Sequence, residues 1–320
     1  MPNWNEILGE INAQASQSNP LDVVRRRYLM KAHEITGRNV IAYYSGFLQK
    51  PDLEQTIIDD NDKNGFMTVI NKLDRSIGLD IILHTPGGDL AAAESLVDYL
   101  KLMFGKDIRV IVPQIAMSAG TMIACACKSI IMGKQSNLGP IDPQFRGIAA
   151  SGVVEEFNRA LQEVKADPQK IPIWQVIIAK YHPTFIGECE KAIKWSSKIV
   201  TNWLLDNMLE QQENAAQNAA DIVDYLSDHG ETMSHSRHIG TDECKRIGLE
   251  IIQLEEYLKD KDYQDCILSI HHSFMHTFSN SSSVKIIENH TGVAMVQHYS
   301  PPPQGVPQIL ATMQNLSEPT

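Results

Sequence analysis

The chain has 320 residues, 43% of them apolar, which suffices for one large domain or a core with an appendage and excludes a disordered chain. A formal net charge of −11 excludes a general nucleic-acid surface. No segment has the length and apolarity of a membrane span, the Met-Pro-Asn-Trp-Asn-Glu start lacks a secretory pattern, and the five cysteines show neither zinc spacing nor an ordinary disulfide pair, so a reduced, cytoplasmic protein without stable membrane insertion is expected.

In chain order, a helical pattern covers Leu21–Ala32 behind Asn19-Pro20, and its Arg25-Arg26-Arg27 run reads as a solvated helix face. Val40–Tyr44 is β-branched and aromatic, a strand. Asp60, Asp62 and Asn64 have the spacing of calcium-loop oxygens, but Asn71 stands where the bidentate glutamate belongs. A polar loop before a helix at Phe66–Leu73 is expected there. Leu79–His84 reads as a strand buried on both faces, Asp89–Leu102 as a helix and Ile108–Pro113 as a third strand. Ser118–Lys128 is an apolar helix and Ser129–Met132 a short strand. This alternation predicts a parallel sheet with right-handed crossovers.

Leu138–Gln144, with two prolines and a glycine, must be a loop, and helices follow near 151–165, 184–210 and 213–228. Trp195, Ile199, Trp203, Leu204, Leu205 and Met208 exceed what one core needs, which predicts subunit packing as a homo-trimer or hexamer. Ser234–Arg246 restarts a helical pattern. Ile251–Leu258 and Tyr263–His276 read as a helix pair, and Val284–Ile287 with Val293–Tyr299 as a small hairpin. Pro301–Pro307 opens a tail outside the core.

Two segments carry the chemistry. In Thr85-Pro86-Gly87-Gly88 the proline fixes one φ and the glycines permit values closed to other residues, so the turn is either an ordinary tight one or a frame that aims N–H groups at a developing oxyanion. Ser118 starts the apolar helix, where it serves as an N-cap or as a nucleophile. His84 ends a strand beside the glycine turn, and a packing role beneath it is expected. His272 and His276 share a helix face without the His-Glu-x-x-His pattern of a metal site, whereas His235 and His238 are placed to line a groove.

Leu83–Asp89, Val112–Cys127 with its Met-Ser-Ala-Gly-Thr core, and Gly139-Pro-Ile-Asp-Pro-Gln144 together resemble the Clp-protease/crotonase superfold. The likeness is closest to its signal-peptide-peptidase-like branch, specifically the serine dehydrogenase proteinase family. It implies an α/β fold, a ClpP/crotonase-like repeated strand–helix core with added helices, in ring-shaped oligomers with no metal or organic cofactor. The expected organisation is a helical arm over 1–35, the protease core over 36–250, and an appendage with a flexible tail over 251–320. By the resemblance Ser118 is similar to the nucleophile. Gly87 and Gly88 are similar to the loop that binds peptide backbone and contributes to the oxyanion hole, with the Ala119 N–H as the other donor.

The base departs from the pattern. Clp-type proteases place a histidine in the loop where this chain has Asp142, and membrane-linked relatives use a lysine where it has Val153-Val154-Glu155-Glu156. Three candidates remain. Lys170 requires burial to lower its pKa, His182 requires a carboxylate such as Asp142 to orient it, and Asp142 alone is too weak a base for an alcohol. The expected function is serine-dependent hydrolysis of a peptide or unfolded protein. The alternatives are a catalytically inactive peptide-binding or assembly protein, and an acyl-CoA hydrolase or isomerase.

Overall fold

Runs of buried β-branched residues form the centre of the computed structural model, which describes residues 2–145, 147–227, 234–259 and 261–299. The strands are β1 (Asn39–Ser45), β2 (Leu79–His84), β3 (Ile108–Val112), β4 (Ile115–Ala116), β5 (Ser129–Met132) and β6 (Asn137–Leu138). They continue with β7 (Gln144–Phe145), β8 (Ile148–Ala149), β9 (Ile239–Gly240), β10 (Ile251–Gln253), β11 (Ser283–Asn289) and β12 (Ala294–His298). Among the described residues one seven-stranded sheet runs β10-β5-β3-β2-β1-β11-β12, parallel from β10 to β1 and antiparallel over the last two pairings.

Side-chain alternation along these strands divides the core in two. Ile41, Tyr43, Ile81, Leu83, Val110 and Val112 face one layer, made by α3 (Asn61–Ile70), α4 (Leu90–Phe104), α5 (Ala119–Cys125), α8 (Phe185–Trp203) and α9 (Ala215–Ser227). Val40, Ala42, Tyr44, Ile82 and Ile111 face the other, made by α2 (Pro20–Thr36) and the helix Lys261–Asn280. Helices on both faces explain why the parallel strands are mostly apolar, with Asp80 of β2 and Arg109 of β3 pairing with each other at 2.6 Å. The additional helix α1 (Trp4–Ala13) begins at a capping box, Asn3 with Glu6, and packs on α2 and Lys261–Asn280.

Several expectations are corrected here. The stretch 251–299 is no appendage: β10 closes one edge of the central sheet, and β11 and β12 build the other. Ile251–Gln253 is a strand rather than a helix because it pairs with β5, Ile251 opposite Ile130. Arg25 is buried rather than solvated, its Nε 2.5 Å from the buried Glu288 carboxylate and Nη1 3.1 Å from Thr277 Oγ1, tying α2 to β11. The helix α3 starts at Asn61, so Asp60–Gly65 is no loop, and Asp62 accepts from Lys285 at 2.8 Å. The apolar surplus of 195–208 is largely consumed inside the chain, where Ile199, Trp203, Leu204 and Met208 are buried. Exposed apolar surface lies instead on α7 (Ile171–Ile178), which follows α6 (Ala150–Ala166) and leaves Ile173 62% and Val176 64% exposed. All five cysteines are free and buried. The expected tail from Pro301 lies outside the described residues.

Candidate active site

A single hydrogen-bonded row sets out the site. Thr85, just beyond β2, bridges Ala116 of β4; Ala116 pairs with Leu138 of β6; Leu138 pairs with Ile239 of β9. From this row the chain runs outward in four arms. Gly87 and Gly88 lie two and three residues beyond Thr85, and Ser118 two beyond Ala116. Asp142 lies four beyond Leu138, and His235 four before Ile239. The β6–β9 pair is antiparallel, so the chain after Leu138 and the chain before Ile239 leave the pair at the same end.

Ser118 turns the chain from β4 into α5 at φ 52° and ψ −119°, a conformation rarely held by a residue with a Cβ. It stands at the N-cap position, yet its side chain makes no cap bond, and its Oγ has no partner among the described residues. A sharp strand-to-helix turn of this kind holds a hydroxyl forward, as nucleophile elbows do. The turn is locked from behind: Thr121 Oγ1 donates to Ala116 O at 2.9 Å and accepts from Gly139 N at 2.9 Å, joining α5 to the Leu138–Gln144 loop.

The glycine turn lies directly against Ser118. A Cβ on Gly87, where φ is 97°, would sit 2.6 Å from Met117 O and 2.7 Å from Ser118 Cβ. Beside it, Ile58 pairs with Gly88 in parallel fashion, its N–H donating to Gly87 O at 2.8 Å and its O accepting from Asp89 N at 3.0 Å. A parallel bridge of this form uses the flanking peptide groups, so the N–H and C=O of Gly88 point away from Ile58. Neither the Gly88 N–H nor the Ala119 N–H has an acceptor among the described residues. Gly88, Ser118 and Ala119 line one cavity of about 380 Å³, with Ile57, Met122 and Trp195 on its walls. Two unbonded N–H groups and an unbonded hydroxyl on one cavity form the constellation that acyl transfer uses.

The Ile57–Asp59 segment at the cavity rim is anchored from β11. The buried Lys285 ammonium donates to Ile57 O at 2.6 Å and to Asp62 Oδ1 at 2.8 Å, while Tyr43 Oη donates to Asp62 Oδ2 at 2.5 Å. Burial pushes the Asp62 carboxyl upward, and Lys285 and Tyr43 pull it back. His84 lies beneath the glycine turn, fully buried, with ring centroids 5.5 Å from Tyr44, 5.0 Å from Phe47 and 5.2 Å from His271. Burial lowers its pKa to about 3, against a raising effect of the Ile115 carbonyl, so the imidazole is neutral.

The three candidate bases are dispersed. Lys170 Nζ pairs with Glu163 at 3.3 Å, and His182 Nδ1 lies 3.0 Å from Thr184 Oγ1; neither is among the residues lining the Ser118 cavity. Asp142, 1% exposed, sits between Ile141 and Pro143 of the cavity wall, and its Oδ1 lies 2.7 Å from His235 Nδ1. The partner of Asp142 is thus His235 rather than His182. Sequence reading gave His235 only a groove-lining place because its nearness to Asp142 exists only once the β6–β9 pairing is known.

A family model described as ClpP-like SDH-type serine proteinase matches residues 11–265. Two proteins of Methanocaldococcus jannaschii are also similar. Uncharacterized protein MJ0137 is 29% identical over 198 residues, 62% of this chain and 64% of its own length. Uncharacterized protein MJ1495 is 29% identical over 205 residues, 64% of this chain and 62% of its own length. The chain therefore spans less than two thirds of the relatives it matches. With a match across most of its length and a repeated strand–helix core of the corresponding kind, this chain belongs to the ClpP-like SDH-type serine proteinase family.

Proposed function

We propose that this protein hydrolyses peptide bonds through Ser118. The observation that carries the reading is the forward-held, unbonded hydroxyl beside two unbonded N–H groups on one cavity. Ser118 Oγ attacks the scissile carbonyl carbon, and the N–H groups of Gly88 and Ala119 take the charge that develops on its oxygen. Collapse expels the amine, and water then releases the acyl group from Ser118. Gly87 permits the close approach of this turn to Ser118. The C=O of Gly88, directed away from Ile58, pairs with an extended peptide, which suits an unfolded protein substrate. The reaction needs no cofactor and no metal. We place the protein in the cytoplasm, as a homo-trimer or hexamer that packs through the apolar face of α7.

The test is labelling of the full chain by a fluorophosphonate probe, together with hydrolysis of fluorogenic peptides and unfolded casein. Labelling and hydrolysis both lost in Ser118→Ala support the reading. A folded wild-type chain that binds peptide without labelling favours the inactive binding protein, and tight binding of acyl-CoA favours thioester chemistry.

A further inference from the structure

Successive peptide groups of an extended segment face opposite ways, so both of its edges need hydrogen-bond partners. One edge of Ile57–Asp59 meets backbone: Ile58 N–H donates to Gly87 O at 2.8 Å, and Ile58 O accepts from Asp89 N at 3.0 Å. The other edge meets side chains. Ile57 O accepts from Lys285 Nζ at 2.6 Å, and Asp59 N–H donates to Asp62 Oδ2 at 2.9 Å. A buried lysine–aspartate pair thus stands where the peptide groups of an adjoining strand would. Resting on the Ser118 reading, we propose that Lys285, paired with Asp62, is a positioning residue for catalysis, holding Ile57–Asp59 at the place that sets the Gly88 N–H in the oxyanion hole.

The pair is built to hold. Lys285 is 0% and Asp62 1% exposed. The three ammonium protons face Ile57 O, Asp62 Oδ1 at 2.8 Å and Asp59 Oδ2 at 3.4 Å, which fixes the orientation of the head group. Asp62 Oδ2 accepts in addition from Tyr43 Oη at 2.5 Å, so β1, α3 and β11 converge on one point. For stability alone, an apolar pair of similar volume would serve as well. What the ion pair adds is a donor for Ile57 O and an acceptor for Asp59 N–H.

There is no slack between this segment and the site. A Cβ on Gly88 would sit 2.3 Å from Ile58 N and 2.4 Å from Ile58 O, and one on Gly87 would sit 2.7 Å from Ser118 Cβ. Movement of Ile57–Asp59 is therefore passed to the glycine turn, and a hydrogen bond to the oxyanion weakens steeply with misalignment. Losing such a donor outright costs about 10²–10³ in kcat, so displacing it is expected to cost about ten- to a hundredfold. The cavity walls Met122 and Trp195 stand on α5 and α8, outside the Lys285 pair, so the effect falls on kcat rather than KM.

The experiment measures kcat and KM for a fluorogenic peptide on the full chain, and amide hydrogen exchange over residues 85–90 by mass spectrometry. In Lys285→Met/Asp62→Leu, kcat per folded molecule is expected to fall about ten- to a hundredfold with KM within about threefold, and 85–90 to exchange faster. Tyr43→Phe removes one bond to Asp62 and keeps the ion pair, so a smaller fall in kcat is expected. Glu288→Gln disrupts an equally buried pair, with Arg25, on the opposite face of β11, and is expected to lower stability while kcat and exchange over 85–90 stay at wild-type values. A wild-type kcat in the double variant overturns the proposal, as does an equal fall in Glu288→Gln or a change confined to KM. Where the double variant does not fold, a wild-type kcat in Tyr43→Phe overturns it. Unchanged exchange over 85–90 in the double variant overturns it without reference to turnover. Failure of the serine reading has a different signature: Ser118→Ala hydrolyses peptide as fast as wild type.

Discussion

Ser118 holds a backbone conformation that crowds its own Cβ, at a cost of about 1–3 kcal/mol. Ser118→Ala keeps that crowding and is expected to abolish labelling with little change in melting temperature. Ser118→Gly removes the crowding as well as the hydroxyl, so it is expected to be inactive yet about 1 kcal/mol more stable than Ser118→Ala by urea titration. A second residue-scale effect comes from His84. Above its ordinary pKa of 6.5 the imidazole is neutral in both folded and unfolded chains. Between 6.5 and about 3 only the unfolded chain takes the proton, so stability declines as pH falls through that window. Melting curves of wild type and His84→Gln at pH 7 and pH 4.5 should converge on acidification, since the variant escapes about 2–3 kcal/mol of this loss.

At the scale of elements, the Ile57–Asp59 rim depends on Lys285 of β11. Lys285→Met leaves Asp62 buried without its cation and is expected to cost about 3–5 kcal/mol in urea unfolding, much of it recovered in Lys285→Met/Asp62→Leu. How far such elements were legible depends on the range of their signals. The strands β1, β2, β3 and β5 show in the sequence because burial on both faces requires predominantly apolar runs, interrupted in β2 and β3 by Asp80 and Arg109. The Ser118 turn and the glycine turn show because proline, glycine and a helix start are local. Ile251–Gln253 is too short to display alternation, and its strand character comes from β5. Arg25 resembles its two neighbours in composition, and only Glu288, far along the chain, decides that it is buried. The Asp142–His235 contact is hidden for the same reason.

At the scale of the whole molecule, two helical layers and seven strands bury most of the apolar segments among the described residues, whereas α7 leaves Ile173 and Val176 well exposed. Light scattering after size exclusion should therefore give a trimer or hexamer, and Ile173→Asp/Val176→Asp should shift the mass toward the monomer without unfolding it. The same view shows an order of completion. Ser118 and both neighbouring N–H donors leave the ribosome long before β11, which joins β1 and carries Lys285. Until that strand arrives, the edge of β1 is open, Asp62 has no cation, and Ile57 is untethered. Under the proposed peptidase reading, a nascent chain exposes the Ser118 hydroxyl before the cleft around it is finished, so peptide cleavage is expected only once synthesis has passed the strand that closes the sheet.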